Sequence, residues 1–289
     1  MLGLALDQPR DEVRATLTEE PGIKISCGGP YGERVPTDPD KNVAGFAATR
    51  ILALAETAVG VHLEVIKNIP PGSGLGSSAA SSVAASVAVM NALKVALSEE
   101  SLLEICGAAE GLAAGAAHLD NVAPALLGGF VGVMQTSPAK ICRFEVPSDW
   151  RFAVILPHKE VKTAEARAVL PETVPMEDAI SNLRHLTGLF HALHAADLES
   201  FASHLHDKLA IPYRAPLLPF FETAQRAALE AGAFALQVSG SGPALFAPCN
   251  TEESAARVCI AVSNALEADG IGSTTYTSKA SSGALELGS

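Results

Sequence analysis

The chain has 289 residues, 48% of them hydrophobic and only 5% aromatic, and a formal net charge of -12. This composition excludes bulk disorder, and so negative a chain with no basic patch would repel nucleic acid or an anionic membrane surface. The length points to two compact domains, and five scattered cysteines with no CxxC pair exclude a disulfide framework or zinc knuckle, which places the protein in a reducing interior, cytoplasmic or plastid-like.

In chain order, Met1 to Leu6 is followed at once by Asp7, Arg10, Asp11 and Glu12, which is not the pattern of a signal peptide. Apolar and polar residues alternate from Glu12 to Ser26 and again from Val61 to Ile66, the period of half-buried strands, with a helix expected over Asn42 to Val59 between them. Gly28 to Asp40, rich in Gly, Pro and Asp, reads as a surface loop. Asn68 to Leu97 reads as a loop feeding a helix N-terminus. A further helix is expected over Leu102 to Ala117, ending near His118. Val122 to Val133 carries the Pro124 and Gly128-Gly129 breaks before a strand-like FVGVM. Apolar stretches such as Ser82 to Leu93 are too short to span a bilayer.

The second half opens after Pro147 with the strand RFAVILP. Helices follow at Thr163 to Val169, Asp178 to His194, Leu198 to Leu209 and Phe220 to Ala231. A strand from Ala233 to Val238 then meets a second glycine cluster, GSGP, before the strand ALFAP, a helix from Glu252 to Asp269 and a last short strand. Strands and helices mixed in this way imply an α+β fold. There is no internal repeat.

The segment PPGSGLGSSAASS, Pro70 to Ser82, carries the clearest chemistry. Gly72, Gly74 and Gly76 would let backbone N–H groups approach a phosphate without interference from Cβ atoms, and the following helix would offer its free N–H groups and positive dipole end. Ser77 and Ser78 fall at that helix start, where a hydroxyl either caps the helix or reaches a metal-bound phosphate. The segment is neither a P-loop, since no GK[ST] follows, nor a dinucleotide fingerprint.

This loop resembles the ATP-binding motif of the superfamily that contains galactokinase, homoserine kinase, mevalonate kinase and phosphomevalonate kinase. HLDNVAPALLGGF (His118 to Phe130), RAPLLPFF (Arg214 to Phe221) and VSGSGPALF (Val238 to Phe246) are similar to further segments of the same family, in the same order, the first two to its homoserine kinase members. The family's first motif, an N-terminal strand and turn, has no counterpart, MLGLALD resembling its tail. The resemblance implies two α+β domains, 1–147 binding ATP and 148–289 of ferredoxin-like type, with the active site in the cleft between them.

It further implies ATP held by Asn42, Pro70, Pro71, Gly72, Ser73, Gly74, Leu75, Gly76, Ser77 and Ser78, with Gly240, Ser241 and Gly242 supporting the loop; Mg2+ held by Glu110 and Ser78; and L-homoserine as the acceptor alcohol, held by His118, Asp120, Arg167 and Arg214. Asp120, Asn121, Glu110 and Thr163 are the catalytic candidates it suggests. Each residue also has a plainer reading. Glu110 on a small, apolar helix can be a solvated charge; Asp120-Asn121 can be a turn; His118 can close a helix; Asn42 can cap one. A homodimer stays open, as do a kinase for another small alcohol, such as mevalonate, and a nucleotide-binding homologue without turnover. His185, His191, His194, His204 and His206 form no closed ligand set and are read as exposed helix positions.

Overall fold

The computed structural model describes residues 1–115 and 117–287, which divide into two compact units. The first unit comprises Met1–Pro71, Gly76–Arg143 and the C-terminal segment from Ala280; the second comprises Gly72–Leu75 and Phe144–Lys279.

The first unit contains β1 (Leu2–Leu4), β2 (Glu12–Thr18), β3 (Ile23–Gly28), α1 (Val43–Leu54), β4 (Gly60–Ile66), α2 (Ser77–Leu93), α3 (Glu99–Ala114), α4 (Leu119–Leu127), β5 (Phe130–Thr136) and β6 (Ala139–Phe144). The alternation in the sequence does what period-2 patterning predicts: Val61, Leu63 and Val65 of β4 are buried, and Val13 and Ala15 of β2 and Ile23, Ile25 and Cys27 of β3 pack with them. Strand β4 is central, antiparallel to β2 and parallel to β3. A second sheet runs β1-β5-β6, with Leu2 opposite Gly132.

Helix α2 packs against α1, α3 and α4 and is buried nearly all round, which its Ala and Ser content permits. Two of its buried hydroxyls are satisfied within the helix itself, Ser82 donating to the Ala79 carbonyl (3.1 Å) and Ser86 to the Ser82 carbonyl (2.8 Å).

Two local expectations fail here. Helix α1 stops at Leu54 rather than near Val59, because Glu56 takes a positive φ of 48°. The stretch read as broken around Pro124 is instead α4, with the proline inside it. The carbonyl that Pro124 cannot reach, that of Asp120, lies against Gly3 of β1, where a Cβ would stand 1.9 Å from it. Strand β6 was not foreseen.

The second unit is built on β7 (Arg151–Pro157), followed by α5 (Thr163–Ala168), α6 (Met176–Ala195), α7 (Leu198–Ser203), α8 (Ile211–Arg214), α9 (Phe221–Glu230), β8 (Gln237–Val238), β9 (Leu245–Cys249), α10 (Glu252–Ala268) and β10 (Ser273–Ser278). The sheet order is β10-β7-β9-β8, antiparallel throughout, a βαββαβ arrangement with α9 and α10 packed together. The unbroken apolar run of β7 is explained by burial from Phe152 to Leu156. The expected helix to Leu209 ends at Ser203, and the expected strand from Ala233 shrinks to two residues. A short α11 (Ala284–Leu287) returns to the first unit, where Leu6 bridges Ala280. Among the described residues no helix is long and apolar enough to cross a membrane.

Candidate active site

Strand β4 leads into the glycine-serine loop, and the loop has the backbone that its glycines foretell: φ is +76° at Gly72, +83° at Gly74 and +65° at Gly76. At Gly74 the requirement is also steric, because a Cβ there would stand 2.4 Å from the Ser239 carbonyl oxygen. The Ser239 hydroxyl donates to the Gly74 carbonyl (2.8 Å) and the Ala244 N–H to that of Ser73 (3.0 Å). Gly72–Leu75 is thus strapped to the GSGP turn, Gly240 to Pro243, within the second unit. Ser73 Oγ accepts from the Leu75 N–H (3.3 Å), while Ser241 in the facing turn is half-buried. Gly76 then opens α2 with no side-chain cap, so the helix presents its first N–H groups to an incoming anion.

Beside this helix start lies a cavity of about 140 Å³, whose apolar wall includes Val35, Pro36, Val43, Val65 and Pro71. Asn42 lines it too, and also caps α1: its Oδ1 accepts from the Ala44 N–H (2.9 Å) and its Nδ2 donates to the Pro36 carbonyl (2.6 Å). Both readings of Asn42 are therefore compatible in one side chain. Pro70 is buried, Leu75 half-buried, and the Pro71 carbonyl accepts from Arg34 (3.4 Å).

Helices α3 and α4 bring two carboxyl groups to the same region. Glu110 is 2% exposed, not solvated; Ser78 hydrogen-bonds it, and the Asp120 charge acts on it. Oε1 of Glu110 and Oδ1 of Asp120 are buried with no hydrogen-bond partner among the described residues. Burial pushes the Glu110 carboxyl above its ordinary pKa, the Ser78 bond opposes this and Asp120 reinforces it. Asp120 and Asn121 form the first turn of α4 rather than a loop, and the Asn121 side chain lies against Gly76, 3.3 Å from where a Cβ would be. His118 is the N-cap residue, its Nδ1 3.9 Å from Asp120 Oδ1.

Hard oxygen donors with open valence are what Mg2+ takes; Glu110 Oε1 and Asp120 Oδ1 are such atoms, and the Ser78 hydroxyl lies against the Glu110 carboxyl. Among the described residues no group of three or more His, Cys, Asp or Glu side chains forms a closed metal cage. An ion that keeps water and phosphate oxygens in its shell does not need one.

The residues that the sequence did not single out are Asp11 and Lys67, an ion pair with side chains 0% and 2% exposed. Continuing the β2–β4 register by one step past Glu12↔Ile66 sets them opposite each other. Lys67 Nζ donates to Asp11, to the Ser77 hydroxyl (2.7 Å) and carbonyl (3.0 Å) and to Ser81 Oγ (2.8 Å). Burial pulls the Lys67 pKa down, and Asp11 pulls it back. Ser77, whose hydroxyl also donates to the Ile69 carbonyl (2.7 Å), neither caps the helix with its side chain nor has a proton left for phosphate.

In the second unit Arg214, at the end of α8, donates from Nε to the Ala166 carbonyl (3.1 Å) and from Nη1 to that of Gly240 (2.9 Å). Burial and then the charge of Arg167 lower its pKa, while Asp207 raises it, so the two arginines lie within electrostatic reach of each other. Arg167 itself is exposed. Thr163 opens α5; its side chain lies outside the described residues. His191 and His194 are exposed on α6, but His185 and His204 are not: both are half-buried, with Nδ1 atoms 3.2 Å apart and the His206 ring 4.8 Å from that of His185. The helix periodicity gave no sign of this pairing, because His204 follows α7 in an irregular segment.

The family description GHMP kinases N terminal domain matches residues 42–129, and GHMP kinases C terminal matches residues 189–268. The chain is 39% identical to the homoserine kinase of Pyrococcus furiosus, over 98% of this chain and 93% of that one. It is 38% identical to the homoserine kinase of Thermococcus gammatolerans, over 99% and 94%. The crystal structure of homoserine kinase from Cytophaga hutchinsonii is similar with a TM-score of 0.92 at 36% identity, covering 98% of this chain and 90% of that one. The mevalonate kinase of L. major, solved in complex with R-mevalonate, matches with a TM-score of 0.72 at 17% identity, over 94% of this chain and 87% of that one, a likeness of fold alone.

Proposed function

The chain belongs to the GHMP kinase family, and on that premise we propose that it is a homoserine kinase, transferring the γ-phosphoryl group of ATP to the side-chain hydroxyl of L-homoserine. The observation that carries the chemistry is the convergence of an uncapped helix start, reached through a loop of positive-φ glycines, with two buried carboxyl oxygens that have no partner among the described residues. Phosphoryl transfer asks for alignment and charge neutralisation rather than covalent catalysis, and this arrangement supplies both.

The cavity walled by Asn42, Val35, Pro36 and Val65 takes the nucleotide, and the N–H groups of Gly72 to Ser78 hold its phosphates. Glu110 and Ser78 are the residues to hold Mg2+, which when bound would neutralise charge on the phosphate oxygens. Arg167 and Arg214 hold the amino-acid carboxylate, a guanidinium being able to donate two parallel hydrogen bonds. The hydroxyl oxygen of homoserine forms a bond to the γ-phosphorus as the bond to the ADP leaving oxygen breaks. Asp120 accepts the hydroxyl proton and His118 and Asn121 orient the alcohol. The products are ADP and O-phospho-L-homoserine, a precursor in threonine biosynthesis, and the expected setting is the cytoplasm.

An assay coupling ADP release to NADH oxidation, run across L-homoserine, mevalonate and galactose, tests this. L-Homoserine is expected to give the highest kcat/KM by roughly ten-thousandfold, the discrimination expected when buried polar groups lose their partner. Preference for mevalonate, or nucleotide binding without turnover on any alcohol, would show the assignment to be wrong.

A further inference from the structure

We infer that the Asp11–Lys67 pair positions the phosphate-binding loop: it fastens both ends of the loop to one buried charge cluster and so sets the start of α2 before nucleotide arrives. This rests on the reading of the loop as the ATP site. At the entry of the loop, Asp11 Oδ1 accepts the N–H groups of Asn68 and Ile69, each at 2.9 Å. At its exit, Lys67 Nζ holds the Ser77 hydroxyl and carbonyl, and one turn further Ser81 Oγ bridges Lys67 and Asp11 Oδ2, at 2.8 Å from each. The Ser77 hydroxyl closes the ring by donating to the Ile69 carbonyl.

Lys67 lines the nucleotide cavity, so a direct bond to phosphate is the obvious role for it. Its three hydrogens are already offered to four acceptors, and the obvious role is closed. What the pair does instead follows from what lies between its anchors. Gly72, Gly74 and Gly76 lose more conformational freedom on ordering than any other residue type would. Fastening Ile69 to Ser77 makes that ordering part of folding rather than of binding, and a preorganised site binds more tightly than one that must order on contact. A fully satisfied buried polar network is rigid enough to do this.

Lys67→Met would leave the Asp11 carboxylate buried without its counter-charge and risks unfolding the protein, so the decisive variant is Ser77→Ala, which keeps the ion pair and removes the tie to Ile69. ADP affinity is measured by calorimetry on the full chain, with KM for each substrate and the melting temperature. The expected result is a weakening of ADP binding by about tenfold, the size of one lost hydrogen bond, a matching rise in KM for ATP and a KM for L-homoserine changed less than about twofold. A fall in melting temperature with ADP affinity unchanged would reduce the pair to a structural role and overturn the inference, as would equal rises in both KM values. Wild-type protein that binds no ADP would overturn the inference together with the ATP reading. Wild-type protein that phosphorylates homoserine, beside a Ser77→Ala variant of unchanged affinity, would overturn the inference alone.

Discussion

Two pairs of charged side chains flank the start of α2, and they are built in opposite ways. Asp11 and Lys67 are saturated: every bond that the ammonium can make is made, and the carboxylate accepts from two backbone N–H groups, a hydroxyl and the ammonium. Glu110 and Asp120 have like charge, receive little from the protein, and each keeps a buried oxygen unpartnered among the described residues. An unsatisfied buried polar group costs stability, so its persistence marks where the molecule expects something it does not itself contain. In the function proposed above, the saturated pair serves the framework and the open pair the reaction.

The sharpest way to break this contrast is to neutralise one member of each pair. Lys67→Met strands the Asp11 carboxylate and is expected to cost about 3–5 kcal/mol of unfolding free energy. Glu110→Gln, the same length without the charge, is expected to leave urea-unfolding stability at or above that of wild type. Equal losses in the two variants would mean that the open pair is as structural as the closed one.

A smaller effect is expected at Arg214, which mixes the two modes by giving Nε and Nη1 to backbone carbonyls and retaining other N–H groups. Arg214→Leu is expected to raise KM for L-homoserine tenfold or more, since a charged hydrogen bond contributes about 1.5–3 kcal/mol, with KM for ATP moving far less. Equal changes in both would move Arg214 into the framework. Gly74→Ala asks whether the middle of the loop is held as firmly as its ends. With a φ of +83° and the Ser239 carbonyl in the way, the substitution should cost about 1–3 kcal/mol, read as weaker ADP binding by calorimetry; unchanged binding would show that the loop reshapes freely.

The smallest effect lies in the second unit. Burial first, then His206, His204 and Lys208, hold the His185 pKa below its ordinary value. The folded state therefore binds that proton less readily than the unfolded chain, so the contribution is present above about pH 6.5 and lost as pH falls. Melting temperature should decline from pH 7 to pH 5 less steeply in His185→Gln than in wild type, and parallel slopes would remove the histidine cluster from the account.

Legibility in the sequence followed the range of the interactions. The glycine-serine loop could be read because its demands are local: positive φ and close approach need glycine wherever they occur. The GSGP turn and Arg214 were visible as segments, but that the arginine ties the turn to Ala166 was not, since those carbonyls lie 26 and 48 residues away. Asp11 and Lys67 were missed for the same reason. They are 56 residues apart, Asp11 just before β2 and Lys67 just after β4; only the antiparallel register of the two strands sets them face to face. The available signal was a lysine closing the otherwise alternating run VHLEVIK. Helix α4 was hidden by Pro124, which normally ends a helix but here sits inside one, where the Asp120 carbonyl that it cannot reach lies against a glycine of β1.

The measurement that bears most directly on the open pair is a magnesium titration of phosphoryl transfer, at saturating ATP and L-homoserine, in wild-type and Glu110→Gln protein shown to have equal unfolding stability. If Glu110 holds the ion against the phosphates, the variant should require at least roughly tenfold more magnesium, the loss typical of weakened metal coordination, and reach a maximal rate lower by about a hundredfold, as for other removed transition-state charge contacts. Superimposable titrations with equal maximal rates would contradict the assignment of Glu110 and Ser78 to the metal.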